Sequence, residues 1–122
     1  MSKRVLIVDD SSLMRRMMKN ILSRNGYNIV AEANSGKLGV EMFKKYRPDI
    51  VTMDVVMDNM NGLEALTHIK NIAPEACVIM VSSMGQEVIV RDAISIGADD
   101  FLLKPYDEDD LMGSLKKLNM SV

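Results

Sequence analysis

Short unbroken apolar runs alternate along this chain with segments in which apolar residues return every three or four positions. Residues 5–8 form the first run. Leu13, Met14, Met17, Met18, Ile21 and Leu22 then share one face of a helix that Ser11 or Ser12 can cap and Asn25-Gly26 ends. Residues 27–31 read as a second strand. Residues 37–46 read as a second helix, with Leu38, Val40, Met42 and Phe43 as its apolar positions. Pro48 breaks the pattern before a third strand at 49–53. Asn61-Gly62 is a turn signal. A helix over 63–72 stops before Pro74, and 77–81 is a fourth strand. A helix over 86–96 closes at Gly97. A short fifth strand at 101–103 is cut off by Pro105, and a last helix covers 106–118 with Leu111, Leu115 and Leu118 spaced for burial.

Strand–helix units repeated in this way predict a parallel sheet with helices on both faces. The strands lack polar alternation, as expected when neither face meets water. The predicted fold is α/β: a flavodoxin-like (βα)5, doubly wound parallel sheet of strand order 2-1-3-4-5, with its switch point between strands 1 and 3.

Ligands of such sheets bind beyond the carboxyl ends of the strands. Strand 1 ends in Asp9 and Asp10, strand 3 in Asp54, strand 4 in Ser82-Ser83 and strand 5 in Lys104-Pro105. One edge therefore collects three carboxylates, a hydroxyl and an ammonium. Each has an ordinary explanation of its own. Acids before a helix favour its positive end, Ser82 suits a turn, and Lys104 suits a solvated surface. Their coincidence at one edge is what singles them out. Three like charges so close would raise one another's pKa values, and a divalent cation removes that problem. Oxygen ligands without histidine or cysteine suit Mg²⁺. An aspartate is also a competent nucleophile toward phosphorus.

The remaining composition narrows the setting. The chain has 122 residues, which suits one domain. A net charge of −2 gives no electrostatic reason to expect nucleic-acid or membrane partners. No apolar run is long enough to cross a bilayer, and Asp9 and Asp10 interrupt the only candidate signal peptide. The single cysteine, Cys77, cannot form an internal disulfide, so a cytoplasmic location is expected. Cys77 reads as strand filler. His68 reads as a surface helix residue, because nothing nearby completes a ligand set.

These residues resemble the receiver domains of two-component response regulators. The resemblance covers roughly residues 3–118. It is carried by "VLIVDDS" (5–11), "DIVTMDVVM" (49–57), "MNG" (60–62), "VSS" (81–83) and "GADDFLLKP" (97–105) with their spacing. It implies that Asp54 is the phosphoacceptor. It also implies that Asp10 binds Mg²⁺ directly, Asp9 mainly through water, and the Val56 backbone carbonyl as a further ligand. Ser82 takes the place of the switch Thr/Ser, Lys104 that of the phosphate-pairing lysine, and Phe101 that of the switch aromatic. The Lys104–Pro105 bond is expected to be cis. "DDSSLMRRMM" and "SSMGQE" are most similar to single-domain chemotaxis regulators of the CheY type, and the chemotaxis methylesterase receiver is similar in the first. Residues 1–122 are accordingly expected to be one receiver domain with no output domain. One departure stands out: Asp58 follows Met57 where the family usually has proline.

The expected function is a phosphorylation-activated response regulator. It would take its phosphoryl group from a histidine kinase of the chemotaxis CheA type. It would bind a flagellar motor switch or an archaeal motility adaptor protein as a monomer. It would not be an enzyme beyond catalysing its own phosphorylation and dephosphorylation. Its target face would be helix 4, strand 5 and helix 5, with Val88, Ile89, Arg91, Asp92, Tyr106 and the acids Asp107, Glu108, Asp109 and Asp110. The competing readings are a freestanding receiver of another phosphorelay, a small Mg²⁺-dependent aspartyl-phosphate phosphatase and a flavin-binding flavodoxin. The phosphatase class needs a D-x-D after strand 1, and position 11 is Ser. The flavin class needs a phosphate cradle where Asp9 and Asp10 stand, and only 4% of residues are aromatic to cover the ring.

Overall fold

The structure is a computed structural model that describes residues 2–57 and 60–122. The departure at Asp58 lies outside the described residues. The chain runs β1 (Arg4–Val8), α1 (Ser12–Arg24), β2 (Asn28–Ala33), α2 (Gly36–Tyr46), β3 (Ile50–Asp54), α3 (Gly62–Ile72), β4 (Cys77–Ser82), α4 (Glu87–Ile96), β5 (Asp100–Leu103) and α5 (Glu108–Lys117). All pairings are parallel and the sheet order is β2-β1-β3-β4-β5, as the pattern predicts. No helix among the described residues is long and apolar enough to cross a membrane.

Two cores explain why the strands do not alternate. On one face Leu6, Val8, Val51, Met53, Val78 and Met80 pack with Val40 and Phe43 of α2, Leu66 and Ile69 of α3 and Ala93 of α4. On the other, Val5, Ile7, Ile50, Ile79, Val81 and Leu102 pack with Met18 and Leu22 of α1 and Leu111 and Leu115 of α5. Successive strand residues feed opposite cores, so the strand centres are apolar on both faces, Thr52 of β3 excepted. Cys77 is a buried strand residue and His68 is exposed, as read from the sequence.

Two boundaries differ from the sequence reading by two residues, and several others by one. The last helix starts at Glu108, not at 106. Asp107 accepts a hydrogen bond from the Asp110 N–H while the Asp110 carboxylate accepts one from the Asp107 N–H. This reciprocal cap holds Asp107 extended and leaves Tyr106 in the preceding loop. β2 covers Asn28–Ala33 rather than 27–31. Tyr27 is instead buried beside the strand and its hydroxyl donates to the Met120 carbonyl at 2.8 Å.

Candidate functional site

The carboxyl end of the sheet is built by continuing the strand ladders. The Asp9 N–H donates to the Ala33 carbonyl at 3.0 Å, the Val55 N–H to the Val81 carbonyl at 3.3 Å, and the Lys104 N–H to the Ser82 carbonyl at 2.9 Å. These bonds fix where each functional side chain leaves the backbone. Asp9 Oδ1 then accepts from the Ser11 N–H at 2.9 Å, and Ser11 Oγ caps α1 by accepting from the Met14 N–H at 3.2 Å. The acidic pair is thus both a helix start and one wall of a crevice. α3 meets the crevice at its first residue. The Gly62 N–H donates to the Val55 carbonyl at 2.8 Å, and a Cβ on Gly62 would lie 2.0 Å from the Asp54 carbonyl oxygen.

Asp9, Asp10 and Asp54 each offer an oxygen, all within 4.8 Å of one another. Asp9 and Asp54 are buried and Asp10 is exposed. The Lys104 ammonium donates to Asp9 Oδ2 at 2.9 Å and to Asp54 Oδ2 at 3.3 Å. Burial holds the Asp54 carboxyl above the ordinary carboxylate range, with the Asp9 charge adding to it and Lys104 only partly opposing it. Burial alone would lower the Lys104 ammonium, but its bond to Asp9 and its attraction to Asp54 raise it overall. Three hard oxygen donors with one cation among them fit Mg²⁺ by charge and by ligand type.

The structure brings together Asp9, Asp10, Asp54 and Lys104 as the sequence predicts. The Lys104–Pro105 bond is cis, as the resemblance implies. Ser82 ends β4 fully buried and accepts from the Met84 N–H at 3.0 Å; it makes no hydrogen bond to Asp54 here. Phe101 pairs with Met80 across β4–β5 and packs half-buried against the α2–α3–α4 core. The Val56 side chain is exposed at the crevice side of β3.

Two residues around the site escaped the sequence reading. The Arg15 guanidinium donates to the Asp9 carbonyl at 2.6 Å and to Glu32 at 3.3 Å, tying α1 to the acidic strand end. Thr52, two residues before Asp54, is buried. Tyr106 was expected on the target face. Its ring is half-buried and packs against the α1–α5 core, and burial together with the nearby Asp9 charge pushes its hydroxyl up to about 12. The only sequence signal for Arg15 and Thr52 was closeness to an acid, Arg15 following Asp10 by five residues and Thr52 preceding Asp54 by two.

The family profile described as "Response regulator receiver domain" matches residues 5–116. The chain belongs to the response regulator receiver domain family. Within it, this receiver is 48% identical to the chemotaxis protein CheY of Bacillus subtilis, over 96% of the chain and 98% of the relative. It is 45% identical to CheY of Thermotoga maritima, over 98% and 99% respectively. Its fold superposes with a TM-score of 0.94 on a chain in the crystal structure of the CheX–CheY–BeF3–Mg²⁺ complex from Borrelia burgdorferi. That chain is 34% identical, and the match covers 96% of this chain and 89% of that one. The protein is a receiver of the CheY type and a two-component chemotaxis regulator.

The raised Asp54 carboxyl of this receiver has a measurable consequence. An acid whose folded pKa is raised destabilises the fold at pH values above that pKa. The penalty vanishes once the pH falls below the unfolded value, about 4, where both states are protonated. Asp54→Asn should therefore raise the melting temperature at pH 7 in the presence of a chelator. The increase should shrink as the pH approaches about 4. A lower melting temperature for the variant at pH 7 would show that the Lys104 pair outweighs the cost of burial.

Proposed function

We propose that Asp54 accepts a phosphoryl group from a histidine kinase of the chemotaxis type, and that Asp9, Asp10, Asp54 and the Val56 backbone carbonyl hold the Mg²⁺ that this transfer needs. The observation that carries the reading is the Lys104 ammonium bridging Asp9 and Asp54 inside a cluster of three carboxylates. An Asp54 oxygen forms the new P–O bond as the P–N bond to the donor imidazole breaks, and the electron pair leaves with that nitrogen. When bound, the metal offsets the negative charge of the phosphoryl oxygens. Lys104 supplies a second positive charge, already aimed at the acceptor. The protein then catalyses nothing beyond its own phosphorylation and dephosphorylation. A cytoplasmic monomer that signals to the motility apparatus agrees with the lone buried Cys77 and the CheY-type relatives. The target face is α4, β5 and α5. Val88 and Leu103 are exposed there beside Arg91, Asp92 and the acids at the start of α5.

The test is intact-mass analysis after incubation with acetyl phosphate. One base-labile phosphoryl group should appear with Mg²⁺ and fail to appear with chelator. An unlabelled protein in both conditions would overturn the reading.

The switch follows from Ser82. A phosphoryl group on Asp54 offers its hydroxyl a charged acceptor, and such a bond is worth about 1.5–3 kcal/mol. That matches the gap between two states when the minor one is populated at about 0.1–10%. Movement of Ser82 toward the acceptor opens space beside β4 for the Phe101 ring. Ser82→Ala should still take up phosphate on Asp54 but lose most of the gain in target affinity on adding beryllofluoride. A native-sized gain in that variant would rule out this coupling.

A further inference from the structure

Thr52 lies in the middle of β3 with 2% of its surface exposed. Ile7 of β1 and Ile79 of β4 are its cross-strand partners, and neither offers a polar atom. Strand alternation puts its side chain on the face that carries Ile50 and Asp54, against α1 and α5. Its Oγ1 is buried and has no hydrogen-bond partner among the described residues. Such groups are rare in native cores and call for a reason. Valine has the same shape and would fill the position without that cost.

The next row on the same face is the acidic layer. Asp54 follows Thr52 by two residues, and Asp9 follows Ile7, the cross-strand partner of Thr52, by two. In this state three of the oxygens in that layer already have donors. Asp9 Oδ1 takes the Ser11 N–H, and Lys104 serves both Asp9 Oδ2 and Asp54 Oδ2. A phosphoryl group on Asp54 draws the ammonium toward itself and frees the lone pair of Asp9 Oδ2 that Lys104 held, beside whatever the carboxylate gives to the metal. One row below, the Thr52 hydroxyl has a donor without an acceptor. Ser82 does not duplicate it, because Ser82 follows Met80 by two residues and so lies on the opposite face of the sheet.

We propose that the Thr52 hydroxyl is a positioning group for the phosphorylated site. It goes unpaired in the resting receiver and hydrogen-bonds to the carboxylate layer above it once Asp54 is modified. This rests on the reading of Asp54 as acceptor. A bond made in one state only adds its whole free energy to the coupling between the two states. Thr52 therefore weakens the resting fold and favours the phosphorylated one.

The experiment is thermal melting of the native protein, Thr52→Val and Thr52→Ser, each with and without Mg²⁺ and beryllofluoride. Without the mimic, Thr52→Val should melt roughly 4 °C or more above the native protein, because the unpaired hydroxyl is gone. Its rise on adding the mimic should be smaller than native, with the half-saturating concentration about tenfold higher. Thr52→Ser loses a buried methyl and should melt lower, yet keep a native-sized rise. That difference separates the hydroxyl from simple packing. The proposal fails if Thr52→Val shows the native rise, if it melts below the native protein without the mimic, or if Thr52→Ser loses the rise as Val does. No rise in the native protein would instead reject the acceptor reading, and the proposal with it.

Discussion

Asp54→Asn should take up no phosphoryl group under conditions that label the native protein, while Asp10→Asn should label slowly and need more Mg²⁺. Asparagine keeps the shape of the side chain at the end of β3 and can still lie beside Lys104. It lacks the anionic oxygen that must form the new bond to phosphorus. Asp10 is the exposed member of the cluster and makes no hydrogen bond to Lys104. Its loss would remove a proposed metal ligand while leaving the proposed acceptor in place. Intact mass and a metal titration read the two effects separately. Labelling of Asp54→Asn at the native level would move the acceptor elsewhere. Overlapping Mg²⁺ titrations for Asp10→Asn and the native protein would take that residue out of the ligand set.

Gly62→Ala should be the most damaging single methyl near the site. The added Cβ would sit 2.0 Å from the Asp54 carbonyl oxygen and 2.9 Å from the Val55 Cα, both of them backbone atoms. Side chains at such a contact can change rotamer, but two backbones can only part. The first turn of α3 must then move off β3, breaking the Gly62 N–H bond to the Val55 carbonyl and disturbing the segment that carries the acceptor. Overpacking of this kind typically costs about 1–3 kcal/mol, and a fixed backbone contact belongs at or above the upper end. That corresponds to a fall in melting temperature of roughly 10 °C for a chain of this size. Labelling should slow in parallel. Gly113→Ala is the matched control, because a Cβ there meets nothing within 4 Å, and alanine favours the helix. Melting curves for the two variants that coincide would refute the close-approach argument.

The fold was legible because a doubly wound parallel sheet writes itself locally. Each strand feeds two cores, so residues 5–8 or 77–81 show as unbroken apolar runs, and each helix covers one core, so α1 shows a single apolar face. The strand order then follows from connection rules, and the order brings the ends of β1 and β3 together. Asp9, Asp10, Asp54, Ser82 and Lys104 could therefore be assigned to one edge before any coordinate was known. What the tertiary structure alone decided is which atoms meet there. Lys104 joins Asp9 across 95 positions of sequence, and Arg15 turns back to the Asp9 carbonyl rather than to solvent. Tyr106 lies on the core because the Asp107–Asp110 cap starts α5 two residues later than its apolar spacing suggests. The approach of Gly62 to Asp54 and the unpaired hydroxyl of Thr52 belong with these. Periodicity records which side of an element is buried. Contacts of 2–3 Å depend on strand register, side-chain rotamer and the fit of one element on another, and these are settled only when the whole chain has packed.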